Sequence, residues 1–362
     1  MNGQVSLQVR SEDFSGVERQ LASADNISVS TFRYPSGVEA LRVQVGRVEA
    51  IILPFRGQQI WRYLVDGRDL TMHTHFDQPT ASVDFAQSYG AFLLHCGLTG
   101  VGAPGPGDTH LHHGELPVAA CGPLTLTFGG EAGENWLEVT SPFRYRVTHS
   151  YDYEVELQLR LDVTTPIVSS RVTITNHRQT ALEFSYLCHL NWTMDQPLQL
   201  HQMVPDRGIE WAPHPGQDGA TAALLERYAQ DPKAANEVSS RVHISPEYCA
   251  VLTPTPCPDG VAEFLAVRPD GSAFWVAFHT DELPRAVRWI SNTVDERAAG
   301  FCLPSTGHHF GRAQNEADGL LRSLSPGETT AIEVRFGLLD RTDAWESEVR
   351  IASVLMGQTE PK

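Results

Sequence analysis

The sequence predicts an all-β fold, a large twisted antiparallel β-sandwich with few short helices. Three observations carry that expectation. Apolar and polar residues alternate with period two over many short segments. Tight-turn pairs separate those segments. Only two stretches show helical spacing. "GVEALRVQVGRVEAIILPF" (37–55) reads as two strands joined at Gly46–Arg47, and "QQIWRYLVDGRDLTM" (58–72) as a hairpin turning at Asp66–Gly67. In "YDYEVELQLRLDV" (151–163), Tyr153, Val155, Leu157 and Leu159 share one face. "IVSSRVTITNH" (167–177), "ALEFSYLCHLNW" (181–192), "AFWVAFHT" (273–280) and "TAIEVRFGLL" (330–339) continue the pattern. The helical stretches are "TAALLERYAQDP" (221–232), ended by Pro232, and "DAWESEVRIASVLMG" (343–357), closed by Gly357. No composition break marks a linker. The expected organisation is an N-terminal extension over 1–24 and a single large β domain over 25–362.

Bulk properties narrow the function. The chain has 362 residues and is 41% hydrophobic, enough for a sizeable core. Its 27 Lys and Arg face 44 Asp and Glu, for a net charge of −17, and no basic run stands out. That excludes nucleic acid and anionic membranes as natural partners, since both need a positive surface. The start, "MNGQVSLQVRSEDFSG", lacks an apolar signal core, and no stretch approaches the ~20 apolar residues of a membrane span, so a cytoplasmic protein is expected. Six cysteines at 96, 121, 188, 249, 257 and 302 form no CxxC pair, which predicts buried free thiols, Cys96 among them. GxSxG, P-loop and HExxH signatures are absent, and no GxGxxG opens a βαβ unit, which argues against serine hydrolases, nucleotide-driven enzymes and dinucleotide oxidoreductases.

Five stretches could carry chemistry. "DTHLHHGELP" (108–117) concentrates Asp108, His110, His112, His113 and Glu115. If extended, it places His110 with His112 on one face and His113 with Glu115 on the other. It can then be an acid/base pair (His113, Glu115), a metal pair (His110, His112), or a solvated histidine loop. In "SYLCHLNWTMDQP" (185–197), His189 and Asn191 share a face. "SYGAFLLHCGLTGVG" (88–102) carries His95 and Cys96 into a glycine-rich turn. "PFRGQQIW" (54–61) offers Arg56 as a sugar-hydroxyl donor and Trp61 as a stacking face. "GFCLPSTGHHFGR" (300–312) groups His308, His309 and Arg312 beside a turn.

Taken together, "GLTGVGAPGPGDTHLHHGELPVA", "CHLNWTMDQPLQL" and "CLPSTGHHFGRAQNEADGLLRSLSPGE" resemble the galactose mutarotase-like superfamily, and within it the uncharacterised aldose 1-epimerase-like branch, over about residues 25–340. The resemblance implies a supersandwich with an open carbohydrate cleft and an isomerase that interconverts sugar anomers. In that chemistry a histidine protonates the ring oxygen while a carboxylate takes the C1 hydroxyl proton. Position by position, it implies that His113 binds and polarises the sugar, His189 is the general acid, Asn191 a hydroxyl partner and Arg56 a further donor. Where mutarotases supply a glutamate base, this chain has Leu303. Glu115 is the nearest replacement, with Glu316 and Asp206 behind it. His95, Trp61 and Arg312 complete the expected sugar-binding set.

No cofactor is expected on that reading. An alternative is a metal-dependent sugar isomerase holding Zn²⁺ or Mn²⁺ on His110, His113, Glu115 and His189. A third possibility is a sugar sensor that binds without turnover. The partner in each case is a small carbohydrate, and the sequence leaves room for a homodimer.

Overall fold

The computed structural model describes residues 4–130 and 135–357. The chain forms two large antiparallel sheets, as the alternation predicts. It also divides into two compact units, Met1–Thr71, Phe76–Cys188 and His309–Glu333 in the first, and Met72–His75, His189–His308 and Val334–Lys362 in the second.

In the first unit, one sheet runs in the order Val5–Val9, Leu124–Gly129, Trp136–Val147, Tyr151–Asp162, Ile167–Asn176. The other runs from Leu182–Leu190 through Leu93–Leu98, Gln59–Val65, Val48–Leu53, Glu39–Val45 and Ile27–Arg33 to Arg19–Ala24. The stretch set apart as an N-terminal extension thus supplies the strands Val5–Val9 and Arg19–Ala24. The expected turns form at Gly46 (φ 54°) and at Asp66–Gly67 (φ 51° and 75°). Two consecutive left-handed residues give the turn twist that a two-residue hairpin needs. Tyr153, Val155, Leu157 and Leu159 are fully buried, as their shared face predicts, opposite Tyr145, Phe143, Ser141 and Val139 of the neighbouring strand. Between the two sheets of this unit, Gln58 donates its amide to Val139 O (2.9 Å), Leu157 O (2.9 Å) and Ser141 Oγ (3.0 Å). This buried clasp fixes the turn that carries Arg56.

The second unit orders Ile209–Ala212, Ile244–Leu252, Arg285–Asn292 and Arg297–Ser305 in one sheet, and Ala273–His279, Val261–Val267, Leu198–Gln202 and Glu237–Val238 in the other. Both expected helices lie here. Gly219–Gln230 is capped by Asp218, which accepts the Thr221 amide at 2.8 Å, and it stops short of Pro232. Arg341–Met356 is capped by Asp340 and pinned by buried Glu263, which accepts from Arg350 (2.9 Å), Trp275 Nε1 (3.1 Å) and Ser347.

A third helix, Arg312–Ala317, belongs to the first unit and lies outside the two stretches of helical spacing. Six residues are too few to show a helical period. Its first amides are satisfied by Asp108, distant in sequence: Arg312 N–H and Ala313 N–H donate to the carboxylate at 3.0 and 2.9 Å. No helix among the described residues is long and apolar enough to cross a membrane. All six cysteines are free, and all but the half-exposed Cys257 are buried.

Candidate functional site

The glycine-rich stretch from Gly97 to Gly114 folds back on itself. Gly97 and Gly114 pair directly, and a Cβ on Gly114 would sit 2.3 Å from Gly97 O. His113 N–H donates to Gly102 O (2.9 Å), and its own carbonyl accepts Gly97 N–H (2.8 Å). This closure forces His113 to φ 60° and Gly114 to φ 76°. Residues 110–115 are therefore a turn and not a strand, so the expected alternation of faces does not hold. His113 and Glu115 have separate surroundings.

The His113 ring is buried, 9% exposed. Its Nδ1 accepts the Gly102 amide at 3.3 Å, so the neutral ring carries its proton on Nε2. The ring stacks on His112 (4.8 Å between centroids, 15°) and meets Phe85 at 4.7 Å. Burial, then the neighbouring His110, lowers the pKa of His112 against the opposing pull of Asp84. Phe85 rides on the 76–90 segment, which Arg56 holds by donating Nη2 to the Ser82 carbonyl. The backbone around Arg56 is locked to the segment after the histidines. Gly57 N–H donates to Ala119 O (2.8 Å), and a Cβ on Gly57 would lie 2.3 Å from Leu116 O. Burial depresses the Arg56 pKa, and its Nε finds no partner among the described residues.

Glu115 is 6% exposed and accepts from four donors: Leu98 N–H (2.6 Å), Thr99 N–H (3.3 Å), the Thr99 hydroxyl and the Tyr153 hydroxyl. Burial raises its pKa, with those hydrogen bonds pulling the other way. Next to it stands a second locked group. His110 donates Nδ1 to Leu111 O (2.7 Å), and its Nε2 lies 3.3 Å from Asp108 and accepts Arg312 N–H at 3.4 Å. Burial works against ionising Asp108, but the Gly105 and Ala313 amides and the His110 ring outweigh it and hold its pKa low. The Arg312 guanidinium donates to Glu183 O (3.2 Å) and Thr99 O (3.4 Å). Thus Glu115, His110 and Arg312 do come together, bordering one cleft of about 230 Å³ with Tyr145 and Tyr151.

In the second unit, His189 ends its strand 4% exposed, with its ring edge-on to Trp289 (5.3 Å, 71°). Trp289 Nε1 donates to Glu247 at 2.6 Å. Asn191 is fully buried, and its carbonyl accepts Met72 N–H at 2.9 Å. Leu303 is 1% exposed on Arg297–Ser305 and faces Val287 of the adjacent strand. His308 is buried in this unit. Asp206 and Glu316 are both exposed, one in each unit.

Two expected contact residues are misplaced for the role. Trp61 is 1% exposed in the core with the Arg62 guanidinium over its ring, so it offers no stacking face. His95 is wholly buried, its Nδ1 2.8 Å from the Tyr186 hydroxyl, and burial drives its pKa to about 3, which keeps it neutral. Cys96 is equally buried with a raised pKa, an inert thiol as expected.

Sequence reasoning missed Tyr153 and Phe85. Tyr153 was legible as an inward residue, and an inward tyrosine demands a partner for its hydroxyl; the partner is Glu115. Among the described residues no group of three or more His, Cys, Asp and Glu could hold a metal ion, and the lone pairs of Glu115 are already taken by its four donors.

A family model described as a domain of unknown function (DUF4432) matches residues 35–338. No curated protein matches the chain. Among solved structures, a "putative aldose 1-epimerase" from Klebsiella pneumoniae subsp. pneumoniae is similar at TM-score 0.80 and 13% identity, covering 98% of this chain and 96% of that one. A galactose mutarotase-like protein from Clostridium acetobutylicum follows at TM-score 0.58 and 12% identity (87% and 99% covered). A galactose mutarotase related enzyme from Lactobacillus acidophilus gives 0.54 and 10% (90% and 99%). At these identities the likeness establishes the galactose mutarotase-like β-sandwich fold.

Proposed function

The chain belongs to the DUF4432 family, and on that premise we propose that it is a carbohydrate-active isomerase or epimerase, aldose 1-epimerase-like, acting on a free or modified sugar by proton transfer. The observation that carries the proposal is His113. It is a non-glycine residue in the left-handed region, buried, with Nδ1 fixed as the acceptor of a backbone amide, so that the proton of the neutral ring lies on Nε2. Left-handed backbone at a bulky residue costs roughly 1–3 kcal/mol and is kept where geometry is used. Opening a sugar hemiacetal needs a proton delivered to the ring oxygen and one removed from the C1 hydroxyl. His113 is the group that binds and polarises; the resemblance implies His189 as the general acid.

The resemblance implies a glutamate base where this chain has Leu303. A leucine at 303 cannot accept a proton. Glu115 has its lone pairs filled by its own fold, which makes it a positioning residue for Leu98, Thr99 and Tyr153. One missing partner of an acid/base pair costs ~10²–10⁴ in rate, so slow, acid-assisted anomerisation is the activity expected. Leu303 also favours a second reading, a sugar-binding protein without turnover. NMR exchange between anomers of neutral aldoses tests both: acceleration over buffer supports the isomerase, whereas tight binding with no acceleration supports the sensor.

A further inference from the structure

The cleft beside Glu115 is not needed for the proton chemistry assigned to His113 and His189. Its ionisable groups all have partners within the fold. Glu115 is satisfied by four donors. Arg312 lies 3.6 Å from the Glu183 carboxylate, and His110 lies 3.3 Å from Asp108. The hydroxyls of Thr109, Tyr145, Ser150 and Tyr151 line the same cleft and have no side-chain hydrogen bond among the described residues. They are hydrogen-bonding groups that a ligand can engage. The rings of Tyr145 and Tyr151, 5.9 Å apart and inclined at 49°, form an angled aromatic wall. At the rim, Leu111 is 55% and Val147 39% exposed, two large apolar side chains bordering a polar cleft.

We propose that this cleft is a second, non-catalytic site for a neutral glycoside, with the sugar ring against Tyr145 and Tyr151 and an apolar aglycone over Leu111 and Val147. The reasoning is chemical. Internally paired charges give no net attraction for an anion. Unpaired hydroxyls exchange hydrogen bonds with sugar hydroxyls at little cost. Aromatic faces cover the C–H side of a pyranose. The cleft, about 230 Å³, falls below the ~300–1,000 Å³ of pockets for drug-sized ligands, which suits one ring. The aglycone then lies on the exposed rim.

The test titrates the full chain with methyl and phenyl β-glycosides of glucose, galactose and mannose, and with glucose 6-phosphate, using saturation-transfer NMR and calorimetry. The expected result is binding of at least one phenyl glycoside about tenfold more tightly than its methyl counterpart. Leu111→Ser, an exposed change that leaves the fold intact, should remove that preference. Tyr151→Phe should weaken both glycosides by losing one hydroxyl. His113→Asn should leave this binding unchanged even where it abolishes anomerisation, so the two claims fail separately. The proposal is overturned if the sugar phosphate binds more tightly than every neutral glycoside, if Leu111→Ser has no effect, or if no glycoside binds at about 50 mM, far above a millimolar site.

Discussion

The amide N–H of Gly102 donates to Nδ1 of His113 across 3.3 Å. An amide nitrogen can only donate, so this one contact sets the tautomer of the ring and puts its proton on Nε2. The prediction is direct: long-range ¹H–¹⁵N correlation should show the Nε2–H tautomer at neutral pH. A spectrum with the proton on Nδ1 would remove the argument for His113 as the group that polarises the sugar. Replacing Gly102 to test this is impractical, because a Cβ there would fall 1.8 Å from His309 O.

Glu115 and Asp108 should respond oppositely to pH. Burial raises the folded pKa of Glu115 above its ordinary value of 4.5, so its contribution is full below that value and is lost as pH rises through the folded pKa. The stability margin of the native chain over Glu115→Gln should therefore shrink from about pH 4 to pH 8. At pH 4 it should be ~1–3 kcal/mol, because the amide brings donors to Leu98 and Thr99, which also donate. Asp108 has a lowered folded pKa, so its contribution is present above 3.8 and lost as pH falls. The margin over Asp108→Asn should grow from about pH 2 to pH 5. Denaturant melts across this range check both signs. A margin over Glu115→Gln that widens with pH would contradict the burial argument.

Position 303 should not accept a glutamate. The side chain is 1% exposed, and Leu303→Glu would bury a carboxylate with no partner built for it. We expect a loss of stability of several kcal/mol at neutral pH, smaller in acid where the carboxyl is protonated. A stable Leu303→Glu protein with faster anomerisation would show instead that only the base is lacking.

The fold was legible because alternation reports burial directly. Tyr153, Val155, Leu157 and Leu159 could be placed on an inner face from spacing alone, and all four are buried. The site was only half legible. His113 and Glu115 were paired on the premise of extended backbone, but Gly97, Gly102 and Gly114 close the chain into a turn whose geometry depends on contacts distant in sequence. Trp61 and His95 have residue types that suit sugar contacts, yet sequence does not reveal which side of a two-sheet fold a fully apolar strand presents. Asp108 looked like part of a histidine cluster, and its work is to satisfy amides of a helix 204 residues away.

The central claim is that the two histidines move protons on a sugar. It is tested most directly by anomer exchange on a panel of neutral aldoses, comparing the native chain with His113→Asn and His189→Ala. Asparagine tolerates the left-handed backbone, so the first variant removes the ring while keeping the turn. The account predicts exchange faster than buffer for at least one aldose, reduced ~10²-fold or more by either substitution with the melting temperature retained. Exchange at the buffer rate for every aldose, or exchange in both variants as fast as in the native chain, would contradict it.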